Sequence, residues 1–102
     1  MRLLVSTAAV LIALAFAGVA NATTYYVRAQ GSDSSSGRSK ASAWRTVDRV
    51  NRAALRPGDT VLFEGGATFG DATLEATRSG TAAAPIEYRS YGSGNARLTR
   101  GV

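Results

Sequence analysis

Asp59-Thr60-Val61-Leu62-Phe63-Glu64-Gly65-Gly66 is the stretch on which the fold turns. Thr60 to Phe63 are β-branched or bulky and apolar, the side chains that suit a pleated surface. The glycine pair that follows marks a turn. Downstream the same pattern returns in short pieces. Ala72-Thr73-Leu74-Glu75-Ala76-Thr77 reads as a weaker strand, and Pro85-Ile86-Glu87-Tyr88-Arg89 as another, with proline at its permitted first position. Ala96-Arg97-Leu98-Thr99 is a last short one. Ser79-Gly80-Thr81 and Tyr91-Gly92-Ser93-Gly94 turn the chain between them. Short strands at roughly 12-residue spacing, separated by Gly, Ser and Asn, point to an all-β fold, either a sandwich or a β-solenoid. The spacing repeats but no motif does.

Working back toward the N-terminus, the period changes. Between about Thr46 and Leu55, Val47, Val50 and Ala54 recur on one helical face, and Arg45, Arg49, Arg52 and Arg56 on another. This predicts one short amphipathic helix with an arginine stripe. Ser42 and Thr46 both qualify as its N-cap, and Pro57-Gly58 is the stop signal. Asp48 and Arg52, four apart, can pair. The stripe has two readings, a grip on an acidic polymer such as a uronate polysaccharide or the wet side of a helix, and the second is the commoner use. Further back, Thr24-Tyr25-Tyr26-Val27-Arg28 reads as a strand. The polar loop Gly31-Ser32-Asp33-Ser34-Ser35-Ser36-Gly37 follows it. Asp33 can serve as a Ca²⁺ ligand beside loop carbonyls or close an Asx-turn. The loop lacks the alternating acids of an EF-hand, which favours the turn. Trp44, just before the helix, reads as buried packing rather than a sugar platform.

At the chain's start, Met1-Arg2 is a positive n-region, Leu3 to Val19 is apolar apart from Ser6 and Thr7, and Ala20-Asn21-Ala22 is an A-x-A cleavage site. This is the three-part architecture of a cleavable signal peptide over residues 1–22. The run is short and Ala-rich for a membrane span. The expected product, residues 23–102, is therefore an exported chain, secreted or periplasmic, with no membrane segment after cleavage.

Composition narrows the chemistry. The chain has 102 residues, 12 Lys and Arg against 7 Asp and Glu, a net charge of +5, no His and no Cys. Ser/His/Asp and Cys/His machinery and histidine metal sites are thus excluded. No Gly-rich phosphate loop lies between a strand and a helix. The basic residues are spread singly rather than in a block, which argues against nucleic acid as a partner. The carboxylates are Asp33, Asp48, Asp59, Glu64, Asp71, Glu75 and Glu87. A glycosidase needs two of them roughly 5–9 Å apart, and Glu75 and Glu87 on separate expected strands are the pair to check. Asp59 after Pro-Gly reads as the residue that orders that turn. Tyr25, Tyr26, Phe63, Phe69, Tyr88 and Tyr91 supply further faces for sugar rings.

Three segments taken together resemble the N-terminal region of secreted right-handed parallel β-helix proteins of the pectate-lyase-like class. They are Tyr25-Tyr26-Val27 with Gly31-Ser32-Asp33; Trp44-Arg45-Thr46-Val47 running through the helix to Pro57-Gly58-Asp59-Thr60-Val61-Leu62-Phe63 and Gly65-Gly66; and Gly80-Thr81-Ala82-Ala83-Ala84-Pro85-Ile86 with Tyr88 and Tyr91-Gly92. The resemblance spans about Thr24 to Gly101. It implies an all-β fold with one short capping helix, the cap and first coils of a parallel β-helix over residues 23–102. Val47, Val50 and Ala54 would cover the open end of the core, and Val61, Phe63, Leu74, Ile86 and Leu98 would stack inside. It further implies a carbohydrate-active protein with a polysaccharide substrate, a lyase or a glycoside hydrolase, or else a non-enzymatic exported binding or surface module. Catalytic residues and Ca²⁺ ligands of that class lie on later, central coils. The resemblance therefore assigns no catalytic and no metal position here, identifies no cofactor, leaves Ca²⁺ to a longer protein, and sets no oligomeric state. A solenoid needs about three or more repeats for stability, so the chain is expected to be part of a longer, catalytically complete protein and inactive alone.

Overall fold

The computed structural model describes residues 22–75 and 81–102. The expected leader, residues 1–22, lies outside the described residues apart from Ala22, as do Ala76, Thr77, Ser79 and Gly80. The elements in chain order are β1 (Thr24–Val27), α1 (Val47–Arg52), β2 (Thr60–Glu64), β3 (Thr68–Phe69), β4 (Glu87–Tyr91) and β5 (Arg97–Leu98). No helix among them is long and apolar enough to cross a membrane.

Every strand pairing is parallel. One sheet has the order β1-β2-β4, with Thr24 beside Thr60 and Thr60 beside Glu87. A second pairs β3 with β5, Thr68 beside Arg97. From β2 onward the chain alternates between the two sheets. This departs from a hairpin-built sandwich, whose neighbours run antiparallel. The outer edge of β1 is covered by the chain around Trp44. Tyr26 N–H donates to Gly37 O at 2.7 Å, Trp44 N–H to Tyr26 O at 2.9 Å, and Arg28 N–H to Trp44 O at 2.8 Å.

The pleat of β2 sends Val61 and Phe63 into the core and leaves Thr60, Leu62 and Glu64 half-buried. Around those two side chains pack Val27, Trp44, Val47, Val50, Leu55, Phe69, Leu74 and Ile86, all buried, with Leu98 half-buried against them. Full burial of each such aliphatic side chain stabilises by about 1.5–3 kcal/mol, and the faces of both sheets and of α1 share in it.

Three expected elements differ in extent. The Ala72–Thr77 strand is absent where it is described; β3 forms earlier, at Thr68–Phe69. Residues 73–75 satisfy their backbone otherwise. The Asn51 side-chain amide donates to Thr73 O at 2.8 Å, and its oxygen accepts from Glu75 N–H at 2.8 Å. On the other side, Leu74 N–H reaches Gly101 O. The helix is also shorter than its periodicity suggested. Thr46 is the N-cap, accepting from Arg49 N–H, and Ala53 is already extended with ψ 144°. Pro57-Gly58 therefore shapes a turn after the helix rather than ending it. Ala54 is exposed, and Leu55 takes the buried place expected of it. Finally, the strand expected at 85–89 is shifted, running over Glu87–Tyr91 and including the tyrosine assigned to the turn.

Candidate functional site

The loop after β1 is shaped by one indole. Gly37 has φ +78°, and a Cβ there would sit 2.5 Å from Trp44 Cε2, so only glycine lets the loop close over the ring. Trp44 is buried, its Nε1–H donates to Ser35 O at 2.9 Å, and its ring stacks on Tyr25 with centroids 4.7 Å apart. The expectation of packing rather than a sugar platform holds. The opposite face is occupied too, because the Arg49 guanidinium lies 4.4 Å from the ring centroid.

Closing the loop this way carries Asp33 to the helix start. Its Oδ1 accepts from Arg45 N–H at 2.9 Å and Thr46 N–H at 3.0 Å, and its Oδ2 from the Thr46 hydroxyl at 2.7 Å. The Asx-turn reading is thereby corrected: these donors stand 12 and 13 residues away, not inside the loop. Asp71 completes the arrangement from the other side, accepting from Val47 N–H at 3.1 Å and Asp48 N–H at 3.0 Å. Between them the two carboxylates and Thr46 satisfy the free N–H groups of the first helical turn.

An open groove of about 590 Å³ lies between these two loops, lined by Asp33, Arg45, Thr46, Phe69 and Asp71. It is a concave surface with acidic lining, hence a candidate for hydrolytic chemistry. Its carboxylates are committed, however. Burial pushes the Asp33 carboxyl up, but the Thr46 hydroxyl, the Arg45 and Thr46 N–H groups and the charge of Arg52 outweigh this and hold it below the usual carboxylate range. A general acid at neutral pH needs the opposite shift. The groove reads as structural bracing, and among the described residues no group of three metal-ligating side chains converges.

The other sequence candidates disperse. Glu87 opens β4 beside Thr60 and pairs with Arg89 at 2.9 Å, whereas Glu75 follows β3 next to Asn51, and no hydrogen bond joins the two. Asp59 does order its turn: buried, it accepts from Arg56 N–H at 2.9 Å and also from Thr23 N–H at 2.8 Å, tying β1 to β2. Asp48 pairs with Arg52 at 3.0 Å as expected. The four-arginine stripe is not a helical face, since Arg45 precedes the helix and Arg56 follows it. Phe63 and Phe69 pack edge to face in the core, and Tyr26 and Tyr91 meet on the outer face of the sheet at 5.6 Å. Nothing in the sequence gives Asp71, beyond its being a carboxylate, or Asn51 the bracing roles they take here. Their partners lie 22 to 24 positions away, and no local pattern marks such a bond.

No protein-family model matches the chain. It is 43% identical over 74 residues to a lacto-N-biosidase of Bifidobacterium longum subsp. longum, an alignment covering 69% of this chain and 5% of that protein. The chain thus spans a small fraction of the relative's length. Among solved structures it is similar to a GH136 lacto-N-biosidase from Eubacterium ramulus, at 32% identity and a TM-score of 0.58, over 71% of this chain and 12% of that one. XylC in complex with xylose shares the fold at 20% identity and a TM-score of 0.60, over 72% of this chain and 11% of that one. The named relatives are lacto-N-biosidases, where the sequence resemblance pointed to the pectate-lyase-like class.

Proposed function

We propose that residues 23–102 form the N-terminal cap and first coils of a right-handed parallel β-helix in an exported glycoside hydrolase acting on oligosaccharides. Residues 1–22 are its signal peptide. The observation that carries this reading is the 43% identity to a lacto-N-biosidase, joined to a shared fold with a second one at 32% identity. The topology supports the coils. Parallel strands that alternate between two sheets, β2-β3-β4-β5, stack one turn on the next, and the segment from Gly37 to Trp44 covers the β1 edge as a solenoid cap does. At the opposite end β4 leaves an edge unpaired among the described residues, beside an apolar groove of about 310 Å³ lined by Phe63, Leu74, Tyr88 and Leu98, a surface suited to a further coil.

In this reading the described segment braces the fold and does not catalyse, because its groove carboxylates are held by backbone donors. Hydrolysis is favoured over β-elimination by the names of the relatives. The test is to express the protein from its whole open reading frame and to assay an oligosaccharide ending in lacto-N-biose beside a polyuronate. Release of the disaccharide is the expected result. An unsaturated product from the polyuronate would make it a lyase, and glycan binding with no turnover on any oligosaccharide would make it a binding module.

A further inference from the structure

The arginine stripe dissolves as a helical face, yet the tertiary structure sets one of its members, Arg49, at a groove shared with an arginine from outside it. Arg38, from the loop closing over Trp44, and Arg49, from α1, line one groove of about 380 Å³ together with Tyr25, Trp44, Ala53 and Ala54. No carboxylate lines it. Arg49 uses its Nε–H on Asp33 O at 3.2 Å and lays its guanidinium over Trp44, which fixes the fork while leaving its terminal nitrogens without a partner among the described residues. The Arg38 side chain is exposed and makes no hydrogen bond among the described residues. Two guanidiniums around one hollow, with no carboxylate in its lining, concentrate positive potential there. The arginine fork matches a carboxylate or sulfate with two parallel N–H donors, and the alanine methyls and tyrosine edge offer apolar surface to a sugar ring.

We propose that this groove binds the charged residue of an acidic saccharide, one that carries a carboxylate or a sulfate. The assignment rests on the carbohydrate reading above and deepens it by naming the saccharide chemistry this groove would take. It explains why the groove keeps two cations together, an arrangement unfavourable until an anion enters.

The test uses the protein expressed from its whole open reading frame, at low salt, by calorimetry. The probes are one neutral oligosaccharide, its carboxylated counterpart, its sulfated counterpart, and a single-stranded oligodeoxynucleotide. The expected result is that at least one acidic sugar binds at least tenfold tighter than the neutral one. Which of the two does so identifies the anion. The advantage should shrink as salt is raised and fall at least fivefold in Arg38→Glu, with Arg38→Lys between. Arg38 is exposed, so an unchanged melting temperature verifies that the variants fold. Equal affinity for neutral and acidic sugars overturns the assignment. So does an advantage that survives Arg38→Glu, or an oligodeoxynucleotide that binds as well as the sugars. Hydrolysis by the wild-type protein is scored separately. Its absence would count against the hydrolase reading and leave the acidic-to-neutral comparison intact.

Discussion

Replacing Asp33 removes one carboxylate that joins the loop after β1 to the start of α1. Three donors lose their acceptor: Arg45 N–H, Thr46 N–H and the Thr46 hydroxyl, at 2.9, 3.0 and 2.7 Å. Hydrogen bonds to a charged group contribute about 1.5–3 kcal/mol each when fully buried. Asp33 is half-buried, so water replaces part of what is lost, and Asp33→Ala should cost about 2–4 kcal/mol in all. For a domain of this size that lowers the melting temperature by on the order of 10 °C or more. Asp33→Asn keeps the oxygen facing Arg45 and Thr46 but gives up the charge, and should cost about 1–2 kcal/mol.

The pH dependence supplies the sharper test. The folded carboxyl lies below the ordinary aspartate value of 3.8. Its contribution is therefore complete above that unfolded value and is lost as pH falls through the folded one. Thermal melts followed by circular dichroism at pH 7 and then stepwise below pH 4 should show wild type descending toward Asp33→Asn, so that the gap between them narrows. A gap independent of pH, or an Asp33→Asn variant as stable as wild type at pH 7, would refute the bracing role.

Two other substitutions separate strong from weak contributions. Gly37→Ala forces a side chain into positive φ and against the buried Trp44 ring; it should cost about 2–4 kcal/mol and red-shift tryptophan emission, whereas an unshifted spectrum with an unchanged melt would contradict the close contact. Arg52→Ala breaks the exposed pair with Asp48 and removes the weakest of the influences holding Asp33 down, and should cost less than about 0.5 kcal/mol; a loss above about 1 kcal/mol by chemical denaturation would contradict the small weight given to this exposed charge.

The elements that could be anticipated are those in which neighbouring side chains alone set the outcome. Thr60 to Phe63 form a strand because alternate residues, Val61 and Phe63, have one apolar face to bury. Val47 and Val50 define a helix by their spacing, and Thr46 can cap it within its own turn. The carboxylate candidates fared differently. The sequence suggests a local turn former in Asp33 and a facing pair in Glu75 with Glu87, because sequence distance is the only distance available before the chain folds.

Local chemistry thus determined that this chain contains short strands, one short helix, glycine-marked turns, and no histidine or cysteine chemistry. It also determined that Trp44 and Asp59 would be buried or ordering residues. The tertiary structure decided how those pieces face one another. It made every pairing parallel, ended the helix at Arg52 so that Leu55 could reach the core, and broke the arginine stripe. It then set Arg38 and Arg49 around one groove and aimed Asp33 and Asp71 at backbone donors 12 to 24 residues away. The physical reason is that a propensity acts over one or two turns of chain. A hydrogen bond or a charge pair between distant segments exists only once burial of the shared core has fixed both in space.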